Sequence, residues 1–84
     1  MRSFCIFRDN QDYTRSVTEW LENFYRQTGK QIETMNPDEN PGFCTAYDIV
    51  EYPTIIVLGN SGEVMAMWRG EDLPLINEVS YYTI

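Results

Sequence analysis

The feature that most limits this chain is Pro53-Thr54-Ile55-Ile56-Val57-Leu58, five apolar or β-branched residues in an unbroken row behind a proline. Such a run suits a strand covered on both faces. Gly59-Asn60-Ser61-Gly62 follows and reads as a hairpin turn. Glu63-Val64-Met65-Ala66-Met67-Trp68-Arg69 then supplies the partner strand, and Gly70 ends it. A fold built here must carry a buried central strand and an antiparallel neighbour.

The upstream half supplies the rest. Ser3-Phe4-Cys5-Ile6-Phe7-Arg8 has apolar residues at both parities, again the mark of a central strand. After the polar break Asp9–Asp12, a helix is predicted from about Tyr13 to Thr28, because Val17, Trp20, Leu21, Phe24 and Thr28 recur at helical spacing. Asp12, Thr14 or Ser16 can cap it, Ser16 with Glu19 forms a capping-box pattern, and Gly29 stops it. Gln31 to Met35 reads as a short strand anchored by Ile32. A loop Asn36–Asn40 follows, then a short helix Pro41–Tyr47 capped by Asn40 and burying Phe43, Cys44 and Tyr47. Asp72 is expected to cap a last helix carrying Leu73, Leu75, Ile76, Val79 and Tyr82.

The expected architecture is therefore α/β, in the order β-α-β-α-β-β-α. It has a four-stranded mixed sheet with helices on both faces and a right-handed first crossover. Residues 1–84 form one domain, with no linker, repeat or low-complexity segment. A chain this short buries roughly 60–65% of its unfolded surface. The 43% apolar content suffices for a core without a metal or disulfide.

Charge and cysteine usage exclude several functions. A net charge of −7 opposes the phosphate neutralisation on which nucleic-acid binding relies. No segment has the length of apolar sequence a membrane span needs, and the N-terminus lacks the pattern of a secretory signal, so a cytoplasmic location is expected. Two cysteines, Cys5 and Cys44, and no histidine leave too few ligands for a structural zinc site. Without an imidazole there is no Cys–His pair and no Ser–His–Asp triad. Asn36–Glu39 lacks the ligand spacing of an EF-hand, and Gly59–Gly62 lacks the Lys-Ser/Thr of a phosphate loop. No cofactor is expected.

The stretch from Asn36 through Val57, with its Asn40-Pro41 and its Pro53-Thr54 before an apolar run, resembles the thioredoxin superfamily. The later Gly62-Glu63-Val64 and Arg69-Gly70 match that family's hairpin and the glycine ahead of its last helix. The resemblance is specific over about residues 36–72. The short start is closer to the compact glutaredoxins. It implies a minimal thioredoxin-like fold and a cis bond before Pro53. It also implies exposed backbone groups at the preceding residue, here Tyr52, that pair with an extended peptide or glutathione. Tyr52 is bulkier than the residues usual there.

The same resemblance locates a Cys-x-x-Cys motif where the first strand enters the long helix, with the helix N-terminus stabilising a thiolate. Aligned without gaps from Phe7, that motif falls on Asp12-Tyr13-Thr14-Arg15, and the acid that assists proton transfer falls on Ile6. Neither cysteine is there, so dithiol oxidoreductase activity is not expected. Cys5 and Cys44 are expected as free core residues. What survives is a groove walled by Asp12, Tyr13, Thr14 and Arg15, by Glu51, Tyr52 and Pro53, and by Arg69, Gly70 and Asp72.

Three readings of that groove stand side by side. It is a set of solvated turns on an inherited scaffold. It captures a protein or peptide by strand-like pairing beside Pro53. Or it binds glutathione, with Tyr13, Thr14 or Ser16 near the thiol and Asp72 holding the amine.

Overall fold

β3 (Thr54–Leu58) is buried at every position, as its unbroken apolar run requires. The computed structural model describes residues 1–83 and arranges the other elements around this strand. They are β1 (Arg2–Ile6), α1 (Thr14–Thr28), β2 (Glu33–Met35), α2 (Pro41–Ala46), β4 (Val64–Arg69) and α3 (Ile76–Tyr82). The order β-α-β-α-β-β-α is the one the sequence implies.

The strands form one four-stranded sheet in the order β2-β1-β3-β4. β1 runs parallel to β2 and antiparallel to β3, and β3 is antiparallel to β4. Successive side chains of a strand point to opposite faces, so β1 and β3 feed two cores at once. Phe4, Ile6, Ile56 and Leu58 join Cys44 of α2 and Ile49 on one face. Cys5 and Ile55 join Val17 and Phe24 of α1, Ile32, and Val79 of α3 on the other. Helices thus cover both faces, α2 alone on one side and α1 with α3 on the other.

Local chemistry sets the element ends, and several differ from the sequence expectation. Ser16 and Glu19 form no capping box, because α1 begins earlier, at Thr14, with no side-chain cap at Tyr13. Gly29 ends α1 at φ 72°, and its N–H donates to Tyr25 O at 2.8 Å. Asn40 makes no side-chain cap to α2; its amide instead donates to Asn36 O at 2.9 Å and folds the preceding loop.

Asp72 does not cap α3. Leu73 precedes Pro74, and a residue before proline is disfavoured in helical conformation, so the helix begins only at Ile76, after an extended Leu75. Glu78 closes that start by accepting from Leu75 N–H at 3.0 Å. Leu75 consequently sits outside the core and is largely exposed, whereas Leu73, Ile76 and Val79 pack as expected. Trp20 of α1 donates its indole N–H to Pro74 O at 2.8 Å, fastening this connection to the long helix.

Candidate functional site

The corner from β1 into α1 is built from hydroxyl groups. Beyond Ile6 the backbone follows β2 for one more bond, Phe7 N–H to Met35 O at 3.1 Å, and then turns through Asn10 at φ 61°. Arg8 N–H donates to the Tyr13 hydroxyl at 3.0 Å. The Thr14 hydroxyl donates to Arg8 O at 2.8 Å and accepts from Gln11 N–H at 3.0 Å. Tyr13 and Thr14 therefore tie the loop closed, Thr14 as donor and acceptor and Tyr13 as acceptor. Ser16 is exposed beyond them.

Arg8 extends this corner across the face. Its guanidinium forms a two-point ion pair with Asp38, at 3.0 and 2.9 Å, and its Cζ lies 4.8 Å from the centroid of the Tyr52 ring. The hydrogen bonds that Arg8 donates draw the Asp38 carboxyl below the usual carboxylate range, and the same bonds raise the guanidinium. Burial pushes the Tyr52 phenol up, helped by the neighbouring Cys44 thiol, with Arg8 pulling the other way.

The second wall is Glu51-Tyr52-Pro53. The Tyr52–Pro53 peptide bond is cis. Thr54, fully buried, donates its hydroxyl to Glu51 O at 2.6 Å, and Gly70 N–H donates to Pro53 O at 2.9 Å. Between these anchors, among the described residues, no turn or loop hydrogen bond engages the backbone N–H or C=O of Tyr52. Sheet pairing begins only at Thr54, opposite Ile6 and Arg69. Gly70 adopts φ 93°, which an L side chain resists, and a Cβ added there would sit 3.6 Å from the Glu51 carboxylate.

The predicted residues therefore divide. Glu51, Tyr52, Pro53, Arg69 and Gly70 are held together by the start of the β3–β4 ladder, and Tyr13 and Thr14 join them through Arg8. Arg15 turns along α1 to pair with Glu19 at 3.2 Å. Asp12 and Asp72 are exposed. Sequence reasoning passed over Arg8 and Asp38, the two residues that connect the walls. Arg8 read as the polar end of a strand and Asp38 as loop, and no spacing signal joins positions thirty apart.

A cavity of about 480 Å³ opens beside this linkage, lined by Arg8, Asp38, Cys44, Asp48 and Tyr52 among others. Cys44 is 7% exposed there and Cys5 0%. Both are free. Cys5 lies in the core under α1 and Cys44 in the core under α2, so the sheet itself separates them. Burial pushes the Cys5 thiol up to about 12. Among the described residues, no group of three or more His, Cys, Asp or Glu could hold a metal ion, and no helix is long and apolar enough to cross a membrane.

No protein-family model and no curated protein matches the sequence. Solved structures do match. One is thioredoxin 1 from the thermophilic eubacterium Thermosipho africanus TCF52B, with a TM-score of 0.75 at 16% identity, covering 99% of this chain and 94% of that one. The fold is thioredoxin-like. A second structure, described as a malarial protein, superposes with a TM-score of 0.70 at 17% identity, covering 96% of this chain and 90% of that one. In this structure the strand-to-helix corner holds the Tyr13–Thr14 hydroxyl cluster, and among the described residues the backbone of Tyr52 has no hydrogen-bond partner ahead of the cis bond.

Proposed function

We propose that this chain is a redox-inactive, thioredoxin-like binding module that holds an extended segment of a protein or peptide at the groove beside Pro53. The observation that carries this reading is the backbone of Tyr52. Its N–H and C=O lack a partner within the described fold, two residues from the ladder's first pair. An unmade hydrogen bond at a sheet's end is the template used in strand addition. The Tyr52 ring, held under Arg8, forms one flank.

The redox half of the proposal rests on sulfur placement. Nucleophilic thiols need a lowered pKa and access to solvent. Cys5 has neither, and Cys44 is nearly enclosed. Two free thiols suit a reducing compartment, so we place the protein in the cytoplasm.

The test is titration of the isotopically labelled chain, followed by NMR, with a panel of extended peptides and, separately, with glutathione. Peptide binding moves the amides of Glu51, Tyr52 and Gly70. Shifts at Tyr52, Arg69 and Asp72 with glutathione would establish the competing glutathione role. Silence toward every peptide sinks the binding proposal, and disulfide reduction that disappears in Cys44→Ser sinks the redox half.

A further inference from the structure

A cavity of about 560 Å³ between β4 and α3 has three aromatic walls. Trp68 comes from β4, and Tyr81 and Tyr82 come from the end of α3. Trp68 is fixed by its packing against the core that α1 and α3 cover. Its ring meets Tyr82 at 5.9 Å between centroids and 67° between planes, and Tyr82 meets Tyr81 at 5.2 Å and 83°. Rings set nearly at right angles make walls of different orientation rather than a flat stack. Tyr81 is 71% exposed, so core packing does not consume its ring.

The electrostatics of this cavity have one sign. An aromatic face carries negative potential. Glu78 adds a carboxylate to the lining, three residues before Tyr81 and on the same side of α3. Among the described residues no lysine or arginine lines the cavity; Lys30 reaches the end of α3 but donates to Thr83 O. The chain as a whole carries −7, which draws cations.

The lining also narrows the kind of cation. A hard metal ion takes several oxygen ligands, and among the described residues no group of three or more His, Cys, Asp or Glu could hold one. A primary ammonium brings three N–H donors, whereas Glu78 already accepts from Leu75 N–H with its Oε1. A methylated ammonium keeps the charge, needs few acceptors or none, and presents methyl groups to the rings and to the Met65 that lines the same cavity.

We propose that this cavity is an aromatic cage for a methylated ammonium group, with Trp68, Tyr81 and Tyr82 as its walls and Glu78 as its counter-charge. The cage shares no residue with the groove beside Pro53 and stands whether or not that groove holds a peptide.

Titration with choline at constant ionic strength, followed by NMR, tests it. The indole signals of Trp68 and the ring signals of Tyr81 and Tyr82 should shift and saturate. 3,3-Dimethylbutanol has the shape of choline without the charge, and it should bind about threefold or more weakly. Tyr81→Leu keeps an apolar side chain at an exposed position, and Glu78→Gln keeps an oxygen that can accept from Leu75 N–H. Each should weaken choline by a similar factor. A peptide bearing trimethyllysine presents the same group. Tighter binding by the peptide or by choline assigns the group to a protein side chain or to a free small molecule, and either result supports the cage. No saturable shift with either probe up to about 10 mM, equal binding of the neutral isostere, or a choline affinity unchanged in Tyr81→Leu or in Glu78→Gln overturns the proposal.

Discussion

The Arg8 guanidinium lies 4.8 Å from the centroid of the Tyr52 ring while gripping Asp38 with two hydrogen bonds. One side chain thereby links the strand-to-helix corner, the loop before α2 and the residue ahead of Pro53.

Removing that link has a directional signature. Arg8→Ala takes away the cation that holds the Tyr52 phenol down, so the Tyr52 titration should move further up, read at its ring carbon by NMR. The pH dependence of stability should change as well. Asp38 has a folded pKa drawn below its unfolded value, so its contribution is present above the ordinary carboxylate range and is lost as pH falls through the folded pKa. The stability gap between wild type and Arg8→Ala should therefore be full near neutrality and close below about pH 4. Urea melts across that range read it. A gap that persists in acid means the ion pair is not its source.

Gly70→Ala separates conformation from space. A Cβ at this position meets the Glu51 carboxylate at an ordinary 3.6 Å, but the backbone sits at φ 93°. The expected cost is about 1–2 kcal/mol, arising from the dihedral alone. Urea denaturation measures it, and the cross-peaks of Glu51 and Pro53 should move because Gly70 N–H bonds to Pro53 O. No loss of stability would mean the turn relaxes out of this conformation.

Phe24 tests the α1 core. It is 1% exposed and stacks on Trp20 at 5.3 Å. Phe24→Ala should cost about 3–5 kcal/mol through lost burial and the cavity it leaves. That is much of the ~5–15 kcal/mol available to a small domain. The variant should unfold at markedly lower urea concentration. Tyr25→Ala, one position along the helix but exposed, should change little.

These outcomes follow the line between what the sequence exposes and what it hides. Helical spacing at Val17, Trp20 and Phe24 and the unbroken run of β3 make the element order legible, because burial is periodic and periodicity survives in one dimension. Element ends are less legible. Asp72 looks like a cap, but Pro74 delays the helix so that its cap falls three residues later, at Leu75, where Glu78 closes the start. Least visible is the Arg8–Asp38–Tyr52 linkage, since a tertiary ion pair leaves no mark in either segment alone. Glu51, Tyr52 and Gly70 came within reach only through a resemblance to a family whose fold carries a proline at this place.

Cys5 offers a sharp test of the buried-thiol account. Its folded pKa is raised to about 12, above the ~8.5 of a free thiol. A raised acid contributes stability that is fully present below the unfolded pKa. As pH climbs past that value the unfolded state ionises first, and the contribution is lost on the way to the folded pKa. Wild type should therefore lose stability between about pH 8.5 and 12 more steeply than Cys5→Ala. In parallel, a thiol reagent such as a disulfide chromophore should label native Cys5 only at the rate of unfolding, while Cys44, at 7% exposure beside the Arg8 cavity, reacts first. Rapid labelling of Cys5 in the native state would contradict its burial beneath α1. Equal alkaline slopes for the two proteins would show that ionisation of this thiol is not linked to folding.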